Sequence, residues 1–185
     1  MFFASGISQA ISAQAADAVF HAIGIARRNN VRVAYDTNYR PRLWPPARAA
    51  AVIHAAVAQA DIALPSLEDA QILTGLSAPE AIVDFYLKLG PAIVALKMGA
   101  EGALLATADG RWRIPPFPCE PVDGTGAGDT FCGSFLARLI AGDAPEPAAR
   151  YAAAAAAIKT EGYGAVAPIP RAEQVLARMR AREQP

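Results

Sequence analysis

The sequence predicts an α/β fold with a mostly parallel sheet. Two observations carry that reading: segments of helical period alternate with short apolar runs, and glycine, proline and asparagine punctuate the junctions. At 185 residues the chain is read as one domain, 1–185, with no internal repeat and no linker.

The elements follow in chain order. Ser8 to Arg28 reads as a helix with Ile11, Ala15, Ala18, Ala22 and Ile23 on one face, Arg27 and Arg28 at its negative end, and Asn29-Asn30 as the stop. Val31 to Tyr35 is a strand, followed by the proline-rich loop TNYRPRLWPP. A helix over Pro46 to Gln59 leads into a short strand, DIALP. Ser66 is an N-cap with Asp69 in a capping-box-like position, and that helix ends near Gly75. Pro79 to Leu89 is the next helix and AIVALKMG the next strand and turn. GALLAT-ADG-RWRI reads as a hairpin. After the connector PPFPCEP come the glycine loop and a helix to about Ile140. A helix over Ala148 to Thr160, the loop GYGAVAPIP and a polar C-terminal helix complete the chain.

Composition narrows the function classes. Seventeen basic and seventeen acidic side chains cancel, so no basic stripe is available for nucleic acid or a membrane surface. No apolar stretch approaches the ~20 residues of a membrane span, and the N-terminus lacks the basic and apolar regions of a signal peptide. Cys119 and Cys132 have no CxxC spacing and read as reduced thiols of a cytosolic protein. His21 and His54 read as partly buried helix residues.

The glycine loop VDGTGAGDTF, Val122 to Phe131, carries the chemistry. Glycines ahead of a helix present backbone N–H groups at the positive end of the helix dipole, which is an anion site. Neither GxxxxGK[ST] nor GxGxxG fits the spacing, which disfavours a dinucleotide-dependent oxidoreductase. Asp129 adds specificity. A carboxylate beside a phosphate makes chemical sense if a hydroxyl lies between them, with Asp129 taking the proton as the oxygen attacks phosphorus. Read without its context, the same stretch is an ordinary glycine turn.

VDGTGAGDTFCGSF resembles the C-terminal signature of the ribokinase-like (PfkB) carbohydrate kinases, D-T-x-G-A-G-D-x-F, through Asp123, Gly126, Ala127, Gly128, Asp129 and Phe131; Gly124 departs from the usual Thr or Ser. The resemblance implies an anion hole from Gly126, Ala127 and Gly128, and Asp129 as catalytic base. YDTNYRPRLW resembles the D-P-N-x-R-x-x-L-W segment of 2-keto-3-deoxygluconate kinases and fructokinases, with Thr37 in place of proline. That implies Asn38 near the nucleotide phosphates and Arg40 near the substrate. LKMGAEGALL resembles the family's turn over the nucleotide, implying contacts from Lys97, Gly99, Ala100 and Gly102. LPSLEDAQILTG is similar to the N-x-x-E segment beside magnesium, though Ser66 and Asp69 serve equally as a capping pair. The metal candidates are Asp69 and Asp123. GYGAVAPIP lies where the family closes its adenine pocket and often holds a monovalent cation on backbone carbonyls.

The resemblance therefore implies a ribokinase-like three-layer α/β/α domain lacking the N-terminal strands and the small β lid, because the chain corresponds to the C-terminal portion of family members. It implies ATP and Mg2+, with K+ as a further cofactor, a small-molecule sugar or sugar-acid substrate, a cytoplasmic setting, and self-association left open. The expected reaction is ATP-dependent phosphorylation of 2-dehydro-3-deoxy-D-gluconate to its 6-phosphate. Fructokinase or another sugar kinase is the alternative within the class, and a non-catalytic nucleotide-binding fragment the alternative outside it.

Overall fold

A computed structural model describes residues 1–183, which cluster into two compact units: Met1–Met98 with Leu104–Arg111, and Gly99–Ala103 with the chain from Trp112 onward. The fold is α/β, with six strands in one sheet ordered as in the chain.

The first unit holds strands β1 (Phe2–Ser5), β2 (Val33–Asp36), β3 (Ile62–Ala63) and β4 (Ile93–Lys97), all paired in parallel, with Phe2 opposite Val33, Ala34 opposite Ile62 and Ile62 opposite Ile93. Every residue of β2 is buried, as expected of a central parallel strand covered on both faces. β5 (Ala103–Thr107) follows β4 after five residues and β6 (Gly110–Ile114) follows β5 after two. Such short connections permit only antiparallel neighbours, so the sheet is parallel for four strands and ends in the expected hairpin.

Five helices belong to this unit: α1 (Gly6–Ala10), α2 (Ala13–Arg28), α3 (Pro46–Val57), α4 (Leu67–Thr74) and α5 (Pro79–Leu89). Its core joins Ile23, Val33, Tyr35, Ile53, Ile82, Tyr86 and Leu96. One expectation fails at the N-terminal helix, which is two helices rather than one. Ser12 is extended, and its hydroxyl accepts the Ala15 N–H, so a local cap interrupts the apolar periodicity. The close approach of Gly6 to the Thr37 carbonyl, where a β-carbon would collide, sets the position of α1 against the loop after β2. His54 is half-buried as expected, whereas His21 is exposed.

The second unit is built on α6 (Ala127–Ile140), α7 (Pro145–Thr160) and α8 (Ala172–Glu183). α7 begins three residues earlier than its periodicity suggests, because Pro145 suits the first helical turn. Its buried alanines 148, 149, 152 and 155 allow close helix contact, and α6 is its main partner. α8 fastens the proline-rich connector: Arg178 donates to the Pro118 carbonyl at 2.9 Å and Arg182 to that of Pro116 at 2.8 Å. After β6, residues 115–126 run as the expected irregular connector into the glycine loop. Prolines 115, 116, 118 and 121 withhold the N–H groups that a ladder needs. Both cysteines are free. Among the described residues no helix is long and apolar enough to cross a membrane.

Candidate active site

The glycine loop is fastened at its entry by α7. Val122 and Asp123 both donate their N–H groups to the Thr160 carbonyl, at 2.7 and 3.0 Å. The Asp123 carboxylate then ties the loop on two sides, accepting from the Thr125 N–H at 2.9 Å and the Gly164 N–H at 2.8 Å. Together with the Thr125 hydroxyl, these donors hold its pKa down to about 2. Lys159, fully buried in the last turn of α7, donates from Nζ to the Asp123 carbonyl at 2.7 Å.

Gly126 forms the N-cap of α6 with φ of 80°, and a β-carbon there would stand 3.1 Å from the Ala165 carbonyl oxygen. The left-handed backbone angle favours glycine here, and a β-carbon would crowd Ala165. The Ala127 N–H turns back to the Gly124 carbonyl at 3.1 Å, and the Thr130 N–H reaches the Gly126 carbonyl at 2.9 Å, opening the helix. Gly128 and Asp129 occupy the next two positions, where no helical carbonyl is available to their N–H groups. Asp129 is exposed in this first turn. It lines a cleft of about 470 Å3 together with Gly126, Thr130, Gly133, Ala137 and Tyr151. Arg138, also lining it, lies 5.2 Å from the Tyr151 ring centroid and is held by a two-point bond to Asp143 at 2.7 and 2.9 Å.

The first unit gathers a separate polar group at the C-terminal ends of its parallel strands, where open α/β sheets bind ligands. Asp36 closes β2, buried, with Oδ2 2.9 Å from Lys97 Nζ and Oδ1 accepting the Asn38 N–H at 3.2 Å. Asn38 is held at φ of 32°, and its side-chain Oδ1 is buried with no hydrogen-bond partner. Tyr39 donates its N–H to Asp69 Oδ2 at 3.0 Å. The Asp69 N–H is capped by Ser66 at 3.3 Å, but the Asp69 carboxylate reaches the loop instead of completing a capping box. Burial raises the Asp69 pKa, and the Tyr39 N–H opposes that rise. Arg40 is exposed, with Nη1 on the Tyr39 carbonyl at 2.9 Å. Gly99 and Ala100 lie exposed in a short 3-10 turn of the second unit, and Gly102 follows it.

Lys159 is the residue that sequence reasoning missed. Its signal was a lone charged side chain near the end of an alanine-rich helix.

At the entry to the glycine loop, a monovalent cation would compete with donors already in place. The carbonyls of Asp123 and Thr160 and both oxygens of Asp123 already accept hydrogen bonds, one of them from an ammonium group. For a divalent ion, no cluster of three or more acidic, histidine or cysteine side chains exists among the described residues. That leaves the arrangement usual for magnesium, in which one or two carboxylates act together with waters and phosphate oxygens.

A helix N-terminus approached by a glycine loop and bearing its own carboxylate, on an α/β scaffold, is an arrangement suited to binding an anion. The chain belongs to the pfkB family of carbohydrate kinases, whose model matches residues 2–172. It is 36% identical over 93% of its length to a 2-dehydro-3-deoxygluconokinase of Thermoproteus tenax and 31% identical over 92% to one of Bacillus subtilis. The chain spans about half the length of these relatives, 53% of each. In structure it is similar to a fructokinase of Vibrio cholerae bound to fructose, ADP and a calcium ion, with a TM-score of 0.88 and 27% identity, covering 95% of this chain and 59% of that one. A double mutant of that fructokinase was solved with fructose, ADP and a potassium ion.

Proposed function

We propose that this chain carries the phosphoryl-transfer chemistry of a sugar or sugar-acid kinase. ATP is the donor, and 2-dehydro-3-deoxy-D-gluconate is the favoured acceptor, giving its 6-phosphate and ADP. The observation that carries this reading is Asp129 in the first turn of α6, beside N–H groups that no helical carbonyl can take.

In this mechanism the acceptor hydroxyl loses its proton to the Asp129 carboxylate as its oxygen bonds to the γ-phosphorus. The bond from that phosphorus to the bridging oxygen breaks, and ADP leaves. The N–H groups of Gly126 and Gly128, joined by Ala127 once it releases Gly124, hold the charge of the transferring group. Asn38, Lys97, Gly99, Ala100 and Gly102 serve the nucleotide. Bound magnesium would neutralise charge on the phosphate oxygens. Asp69 is the better candidate to face it, because both oxygens of Asp123 are committed to loop N–H groups. The free thiols agree with a cytoplasmic setting.

Preference for a sugar acid rests on two relatives at 31% and 36% identity, and on the exposed Arg40, whose planar fork suits a carboxylate. The fructokinase likeness makes fructose the competing acceptor.

The test incubates the purified chain with Mg-ATP and 2-keto-3-deoxygluconate, fructose or ribose and follows ADP release, with Asp129→Asn in parallel. Sugar-acid-dependent ADP that disappears in the variant supports the reading. Equal turnover with fructose moves the acceptor. ATP binding by calorimetry with no turnover leaves the chain a non-catalytic nucleotide-binding protein.

A further inference from the structure

We propose that Lys159 is the resident cation of the glycine loop, and that the loop therefore needs no monovalent metal ion. The inference concerns the loop itself. It rests on the kinase reading only for its consequence, an ammonium group at the entry to the phosphate-binding loop.

The ammonium group sits at a place prepared for positive charge. Lys159 lies in the last turn of α7, where the carbonyl end of the helix favours a cation. Its side chain has no exposure, and its ammonium donates to the Asp123 carbonyl at 2.7 Å. No carboxylate forms an ion pair with it among the described residues, so main-chain oxygen, rather than a salt bridge, receives the charge. The Asp123 carboxylate feels it through space, which adds to the N–H groups in keeping that acid ionised.

This contact has a structural consequence. The peptide unit is planar, so aiming the Asp123 carbonyl at Lys159 also fixes the direction of the Gly124 N–H at the entry to the loop. The loop is then held by one cationic donor and by four N–H groups: Val122 and Asp123 to the Thr160 carbonyl, Thr125 and Gly164 to the Asp123 carboxylate. A metal cation on these same oxygens would compete with those donors for the remaining lone pairs and would stand close to an ammonium of like charge. A buried lysine and a carbonyl-bound potassium ion are alternative solutions to one electrostatic problem, and this chain holds the lysine.

The test compares thermal unfolding of the wild-type chain and Lys159→Met in KCl, NaCl and choline chloride at matched ionic strength. The readout needs no nucleotide and no turnover, so it decides the inference even if the kinase reading fails. The wild type is expected to unfold at the same temperature in all three salts. Lys159→Met is expected to be less stable in choline and to regain several degrees in KCl in a saturable manner, as a site present only in the folded state requires. A saturable, potassium-specific rise in the wild-type Tm overturns the inference. So does a folded Lys159→Met that matches the wild type in all three salts. If Lys159→Met folds in none of them, Lys159→Gln takes its place, judged by the same two outcomes.

Discussion

Lys97 Nζ stands 2.9 Å from Asp36 Oδ2, joining the ends of two parallel strands separated by β3. Their side chains are 13% and 3% exposed, so neither charge is well solvated. Asp36 also receives the Asn38 N–H, which makes the pair the anchor of the turn that carries Asn38 and Arg40. Breaking one half of such a buried pair leaves the other charge uncompensated. Lys97→Met is expected to cost about 3–5 kcal/mol, and Asp36→Asn combined with Lys97→Met much less than the two losses added together. Urea denaturation of the four proteins measures the coupling. Additive losses would mean that the contact is incidental.

Gly126→Ala tests whether the loop's backbone is forced. An L-residue at φ of 80° costs about 1–2 kcal/mol, and the Ala165 carbonyl adds crowding at 3.1 Å. For a chain of this size the Tm should fall by roughly 3–8 °C. Phosphate or nucleotide affinity should fall as well, because the N-cap sets the direction of the first-turn N–H groups. Gly124→Ala is the control: it has nothing within 4 Å of the added carbon and should stay near wild type.

Much of this architecture was legible because local chemistry and tertiary placement agree. α5 runs from Pro79 to Leu89 as its pattern demands, and Gly75 ends α4 in the left-handed conformation. The loop-to-helix entry at Gly126 was legible for the same reason. The failures share a different cause. Ser12 splits a continuous apolar periodicity through a single side-chain cap. Lys159 and the Asp36–Lys97 pair depend on contacts 36 and 61 residues apart in the chain, which periodicity does not encode.

His54 makes the chain acid-sensitive in a mild range. Its ring sits edge-on to Phe85 at 5.0 Å and Tyr86 at 5.9 Å, Nε2 is buried without a partner, and burial lowers its pKa below the ordinary value of 6.5. The unfolded chain therefore takes up this proton first as pH falls. Stability should decline below about pH 6.5 and level off once the folded-state histidine also titrates. His54→Phe should remove that slope. Chemical denaturation at several pH values between neutral and mildly acidic reads the difference.

Asp123 sets a second, more acidic limit, and here the sign runs from a depressed carboxylate. Its pKa falls from 3.8 to about 2 because the Thr125 N–H and hydroxyl and the Gly164 N–H bind the ionised form. The stabilisation is fully present above pH 3.8 and is lost as pH falls through about 2, when the folded carboxylate finally protonates. Asp123→Asn keeps one oxygen acceptor but replaces the other with an amide nitrogen, which cannot accept both loop donors. Either the Thr125 or the Gly164 bond must go. The variant should therefore unfold at lower temperature at neutral pH, and should lose the part of the acid transition that the carboxylate contributes between pH 3.8 and about 2. Hydrogen exchange at the Thr125 and Gly164 N–H groups locates the effect: both should be protected in the wild type, and at least one should exchange faster in Asp123→Asn. Unchanged protection at both positions would show that the loop is held without this carboxylate.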